Sequence, residues 1–145
     1  MFHYTTCGLR NVWLCNGYDE RETPYGRAVA IRDLDGLHRA IARWLIAYKP
    51  RLSGAEFRFL RKELGPSQAA AAGMFGNEAQ SVALWERKGH VPAWADRFLR
   101  ALYRERADGN AKIEAMIDRL KALKQSEYER LTLKRGRGGW KAKAA

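Results

Sequence analysis

Caps and breakers cut the middle of this chain into short helices, and that punctuation constrains the fold more than any other feature. Ser53-Gly54-Ala55-Glu56 puts a hydroxyl at a helix start and a carboxylate three residues on. Such a pair satisfies two backbone N–H groups that the first turn leaves free. The helix it opens carries Phe57, Leu60 and Leu64 on one face and ends at Gly65-Pro66. Ser67 caps a short alanine-rich helix from Gln68 to Phe75, which Gly76 breaks. Asn77, with Gln80 three residues later, is another capping pair and predicts a third helix through Val82 and Trp85 to about Arg87. Gly89 and Pro92 bracket the next loop, after which Trp94, Phe98, Leu99 and Leu102 mark a fourth helix.

The first thirty residues have a different texture. Asn11 to Cys15 is a short strand candidate, and Asn16-Gly17 behind it is a strong turn signal. A second strand begins near Tyr18, turns through Thr23-Pro24-Tyr25-Gly26 and resumes at Ala28-Val29-Ala30-Ile31. The expectation is one small antiparallel sheet of two or three strands, too marginal to stand without packing on something. From Asp35 the apolar period becomes helical, with Leu37, Ile41, Trp44, Leu45 and Tyr48 on one face. Asp33 or Asp35 caps that helix, Pro50 stops it, and it is expected to cover the sheet.

After the break at Asp108-Gly109-Asn110, the residues Ile113, Met116, Ile117, Leu120, Leu123, Tyr128 and Leu131 predict a longer amphipathic helix. Residues 134–145 hold five basic side chains, no acidic ones and no apolar period, and are expected to be disordered when free. The charge is uneven along the chain. Residues 1–50 carry 7 basic and 5 acidic side chains, a net +2, whereas residues 51–145 carry 20 and 11, a net +9. A polyanion is the natural partner of the second part, because Lys and Arg release phosphate counterions on binding. No run of apolar residues approaches a membrane span, and the first residues lack the pattern of a signal peptide. The two cysteines do not make a disulfide scaffold. The chain reads as cytoplasmic and nucleoid-associated.

A helix-turn-helix needs small residues where its helices cross, a tight turn between them and apolar residues to seat the second helix. Ala71 and Ala72 supply the first, Gly76 the second, and Val82 with Trp85 the third. Ala79, Gln80, Ala83, Leu84 and Arg87 are left on the outer face. Ser67-Gln68, Ala72, Gly76, Val82, Trp85-Glu86 and Pro92 together resemble the Cro and phage-repressor (Xre-type) helix-turn-helix, over roughly residues 56–105. The resemblance implies a recognition helix from Asn77 to Arg87, with Ala79, Gln80 and Leu84 toward the bases and Gln68 on the DNA backbone. Asn77, Ser81, Arg87 and Lys88 complete the candidate DNA-binding set. Gln80 is its clearest reader, since a carboxamide pairs bidentately with adenine. Leu84 stands where a polar residue is often found, and Ala71 where a larger aliphatic is usual.

His3-Tyr4, Cys7-Gly8-Leu9, Asn11 to Leu14, Asn16 to Tyr18, Thr23 to Gly26 and Asp35 to His38 are similar to the front end of short bacterial regulators, loosely like antitoxins of the MqsA type. That likeness implies a homodimer repressing its own promoter, with a toxin as a possible partner. Those antitoxins hold zinc through paired Cys-x-x-Cys motifs, and this chain has none. His3, Cys7 and Cys15, with His38 as a fourth, lack the short paired spacing of a structural zinc site. The expectation is instead a buried free thiol and a packed strand, with no metal and no cofactor.

The sequence therefore reads as mainly α (α+β): residues 1–50 a sheet-and-helix module, 51–107 an Xre-like helical domain, 108–133 an amphipathic helix and 134–145 a basic tail. The function read from it is sequence-specific duplex-DNA binding by a homodimeric, autoregulating repressor on a palindromic operator, without catalysis. Two alternatives stay open. One is an antitoxin that neutralises a partner protein; the other is an accessory protein that binds nucleic acid with little sequence preference.

Overall fold

The structure is a computed structural model, and it describes residues 1–110, 112–122 and 133–142. It is mixed α and β, mainly helical, with six helices and small antiparallel ladders among the described residues. Two short strands, β1 (Phe2–His3) and β2 (Trp13–Leu14), pair with each other. A longer ribbon follows, β3 (Tyr18–Thr23) with β4 (Gly26–Ile31), closed by the two-residue turn Pro24-Tyr25. Then come α1 (Leu34–Tyr48), α2 (Gly54–Leu64), α3 (Gln68–Phe75), α4 (Ala79–Lys88), α5 (Ala93–Ala107) and α6 (Lys112–Ala122). A last hairpin pairs β5 (Leu133–Gly136) with β6 (Gly139–Ala142).

The caps work as the sequence implies at three of the starts. Asp33 accepts a hydrogen bond from the Gly36 amide at 3.1 Å and starts α1. At α2 the capping box is complete: the Glu56 amide donates to Ser53 Oγ at 3.2 Å, and the Ser53 amide to Glu56 Oε1 at 2.8 Å. Ser67 caps α3 through the Ala70 amide at 3.1 Å. Asn77 does not cap α4. Gly76 adopts a left-handed φ of 72° and ends α3, and the Asn77 amide then folds back onto the Ala72 carbonyl at 2.8 Å. The recognition helix accordingly begins at Ala79, behind Glu78, which forms no side-chain cap.

One apolar core runs through the chain from Leu9 to Ile117, drawing on the N-terminal segment and α1 through α6. Phe57, Leu60, Val82, Val91 and Leu99 are sealed at its centre. The proposed boundaries near residues 50 and 107 therefore do not separate independent cores. Arg100 ties the pieces together. It donates to Asp96 at 2.6 Å and to the Leu45 and Ile46 carbonyls at 3.2 and 3.1 Å, while Asp96 accepts the Leu52 amide at 2.8 Å. A last carbonyl pair of α1 is thus satisfied by α5.

Four expectations need correction. The N-terminal strands form two separate ladders and not one sheet, because the Asn11–Cys15 candidate pairs only at Trp13 and Leu14. Helix α1 does not cover the ribbon; its buried residues Ala42 and Leu45 join the core with Leu9, while Trp44 and Tyr48 at the stripe's edge are exposed. The C-terminal helix does not reach residue 133, since Leu133 stands in β5; Leu123, Tyr128 and Leu131 lie outside the described residues. Residues 134–145 are not described as a disordered tail either. Leu133–Gly136 and Gly139–Ala142 form a hairpin over Arg137-Gly138, helped by the positive φ of Gly139, and a turn with strand pairing needs no apolar period.

Candidate nucleic-acid interface

Helices α3 and α4 cross through small residues. Ala71 and Ala72 are buried at the crossing, and Val82 and Trp85 seat α4 from its inner side. Trp85 lies edge-on to Phe57 and to Trp94, with ring centroids 6.1 and 5.8 Å away, and Phe75 completes the cluster. Edge-to-face contacts of this kind fix ring orientation as well as burying area. The α4 axis is held at a second point by Gly54, the first residue of α2. A Cβ there would meet the Glu86 carbonyl oxygen at 2.2 Å, so only glycine lets the two backbones approach this closely.

The third anchor is a buried ion pair. The Arg61 guanidinium donates to Glu86 through Nε at 2.9 Å and Nη2 at 2.8 Å, and to the Pro66 carbonyl through Nη1 at 3.0 Å. Both side chains are nearly inaccessible, at 7% and 4% exposure. Gln68 Nε2 donates to the second Glu86 oxygen at 3.2 Å. The carboxylate therefore joins α2, the start of α3 and the last turn of α4, and no buried polar side-chain atom among the described residues lacks a partner. A half-satisfied pair of this kind would be costly, and this one is complete.

The sequence-nominated residues fall in three groups. Ala79, Gln80, Leu84, Arg87 and Lys88 are exposed on α4, Leu84 to 42%, and Ser81 is half-buried beside them. Gln68 is half-buried, bound to Glu86, at the start of α3. Asn77 is exposed in the turn between the helices and outside α4. Arg87 and Lys88 occupy the last turn of α4, where cations suit the helix dipole. No known family matches the chain. Neither a family model, nor a curated protein, nor a solved structure is significantly similar to it.

Sequence reasoning missed Arg61 and Gly54. Glu86 drew notice only beside Trp85, and nothing marks a partner 25 residues earlier in the chain. The N-terminal candidates are dispersed. His3 Nε2 sits 2.6 Å from the Arg10 carbonyl, and the Cys15 thiol, exposed and not buried, lies 3.9 Å from the Met1 sulfur. His38 bridges the Tyr4 hydroxyl, 2.8 Å from Nε2, and Glu63, 2.7 Å from Nδ1. Burial pushes the Tyr4 phenol above its usual pKa, reinforced by Cys7 and Glu63 nearby. Among the described residues no three His, Cys, Asp or Glu side chains converge as a metal site would require.

Proposed function

We propose that this protein is a sequence-specific duplex-DNA-binding transcriptional regulator, acting as a repressor through the α3–α4 pair. The observation that carries the reading is the division of α4. Val82, Trp85 and the ion-paired Glu86 fasten one side of it, while Ala79, Gln80, Leu84 and Arg87 leave the other side open. A helix of this length, fixed on one side and polar at its exposed N-terminal turns, fits the major groove. Gln80 reads an adenine edge, Leu84 offers a methyl-sized contact, and Arg87 and Lys88 meet phosphates. Gln68 spends one amide hydrogen on Glu86 and keeps the other for a phosphate. Ten residues of α4 cover few base pairs, so useful specificity calls for two copies on a two-fold symmetric site.

Selection of bound sequences from a random duplex pool tests this. The expected product is one palindromic consensus whose half-sites lie about 34–36 Å apart, or a multiple of that. A pool that binds but enriches no sequence would leave only charge-driven association, and the repressor reading would fall.

A further inference from the structure

The β3–β4 ribbon stands alone: among the described residues neither outer edge is bonded to another strand. Its hydrogen-bond phase follows from one contact. The Arg32 amide donates to the Gly17 carbonyl at 2.8 Å, so Gly17 and Arg32 face each other as a hydrogen-bonded pair. In an antiparallel ladder such pairs alternate. Asp19–Ala30, Arg21–Ala28 and Thr23–Gly26 are therefore the bonded pairs that follow in the observed register. The N–H and C=O groups of Arg27, Val29 and Ile31 point outward, away from β3.

The two edges differ in how they are guarded. Strand β3 presents Asp19, Glu20, Arg21 and Glu22 in succession, the charges with which natural edges discourage pairing. Strand β4 reads Ala28-Val29-Ala30-Ile31 and carries one charge, Arg27. Arg27 is drawn back onto Glu20 of β3 at 3.2 Å, and Arg32, just past β4, onto Asp19 at 2.7 Å. The cations bracketing β4 are thus both committed within the ribbon.

We infer that the β4 edge is a dimerisation surface whose occupant is β4 of a second copy, giving a four-stranded sheet in the order β3-β4-β4-β3. The outward groups fix the register. Val29 faces its own copy across the two-fold axis, and Arg27 faces the copy's Ile31, each pair exchanging two hydrogen bonds. Ala28 then opposes the copy's Ala30 in the close, non-bonded positions, where small side chains fit. No like charges meet in this register; sliding β3 edges together at Glu20 would oppose two carboxylates. The inference concerns assembly alone and holds whether or not α4 reads DNA.

The full chain can be tested by sedimentation and by cross-linking. Val29→Lys would set two ammonium groups against each other at the axis, yet within one chain its neighbour across the ladder is Glu20, so the ribbon keeps its own pairing. The wild type and Val29→Thr should sediment as dimers and Val29→Lys as a monomer with an unchanged melting curve. In a Cys7→Ser, Cys15→Ser background, Val29→Cys should oxidise to a covalent dimer, because Cα atoms of a bonded pair lie about 5.5 Å apart, within disulfide reach. Arg21→Cys, on the outer strand, should stay unlinked. A monomeric wild type at high micromolar concentration would overturn the inference. A Val29→Lys dimer together with an unlinked Val29→Cys variant would overturn it as well, by placing the contact on another face.

Discussion

Helices α2 to α5 bury side chains from every element, whereas the β3–β4 ribbon leaves nearly all of its residues exposed on both faces. The first region is anchored by long-range contacts, the second by its own ladder and by exposed ion pairs such as Arg27–Glu20. The contrast separates two uses of structure. A helix that must present a fixed face needs its reverse side clamped, as Gly54, Arg61 and Trp85 clamp α4. A ribbon that awaits a partner needs an open backbone edge and little else.

Substitutions in the two regions should therefore differ sharply. Trp85→Ala removes a buried ring from the seat of α4 and should cost about 3–5 kcal/mol, a large part of a small domain's stability. Glu86→Ala leaves the Arg61 guanidinium buried without its carboxylate and belongs to the same range, about 3–5 kcal/mol. Chemical denaturation measures both. In the ribbon, Tyr25→Ala at the fully exposed turn should change stability by no more than about 0.5 kcal/mol. Equal losses in the two regions would erase the distinction.

A middle-sized effect belongs to the cap that starts α2. Ser53→Ala should cost about 1 kcal/mol, since it strands the Glu56 amide while the Glu56 carboxylate keeps its bond to the cap residue's amide. Arg27→Ala in the ribbon breaks only a solvent-exposed pair and should cost at most about 1 kcal/mol, less in high salt.

Alkaline pH adds a smaller test of the helical core. Burial raises the Tyr103 phenol above its ordinary value, with Glu63 adding to the effect and Arg43 and Arg39 opposing it. Above about pH 10 the unfolded chain's tyrosines ionise first. Stability held in the neutral phenol is complete below that pH and is lost as pH rises through the folded-state value. The melting temperature of the wild type should therefore fall more steeply above pH 10 than that of Tyr103→Phe.

Much of the helical region was legible because its signals are local. Caps act within a turn, as Ser53 and Ser67 do, and the spacing of Phe57, Leu60 and Leu64 marks one buried face. Legibility ended where partners are distant. The Arg61–Glu86 pair and the clash that Gly54 avoids arise only when α2 meets α4. Asn77 was misread because two caps compete there, and the αL glycine before it claims the Asn77 amide for α3. The ribbon's strands and turn followed from residue types, but period-two alternation does not say whether a face is covered. The Trp44 and Tyr48 rings likewise lie at the helical period of α1 yet fall beyond the reach of its neighbours.

The most direct measurement of the central claim compares wild type with Gln80→Ala on the selected site and on random duplex at one fixed salt concentration. Gln80 is exposed and touches nothing that holds the fold, so the variant should melt as the wild type does. Affinity for the selected site should drop by about 1–3 kcal/mol with random-duplex affinity unchanged. An equal loss on both duplexes, or none on either, would show that this face of α4 reads no base.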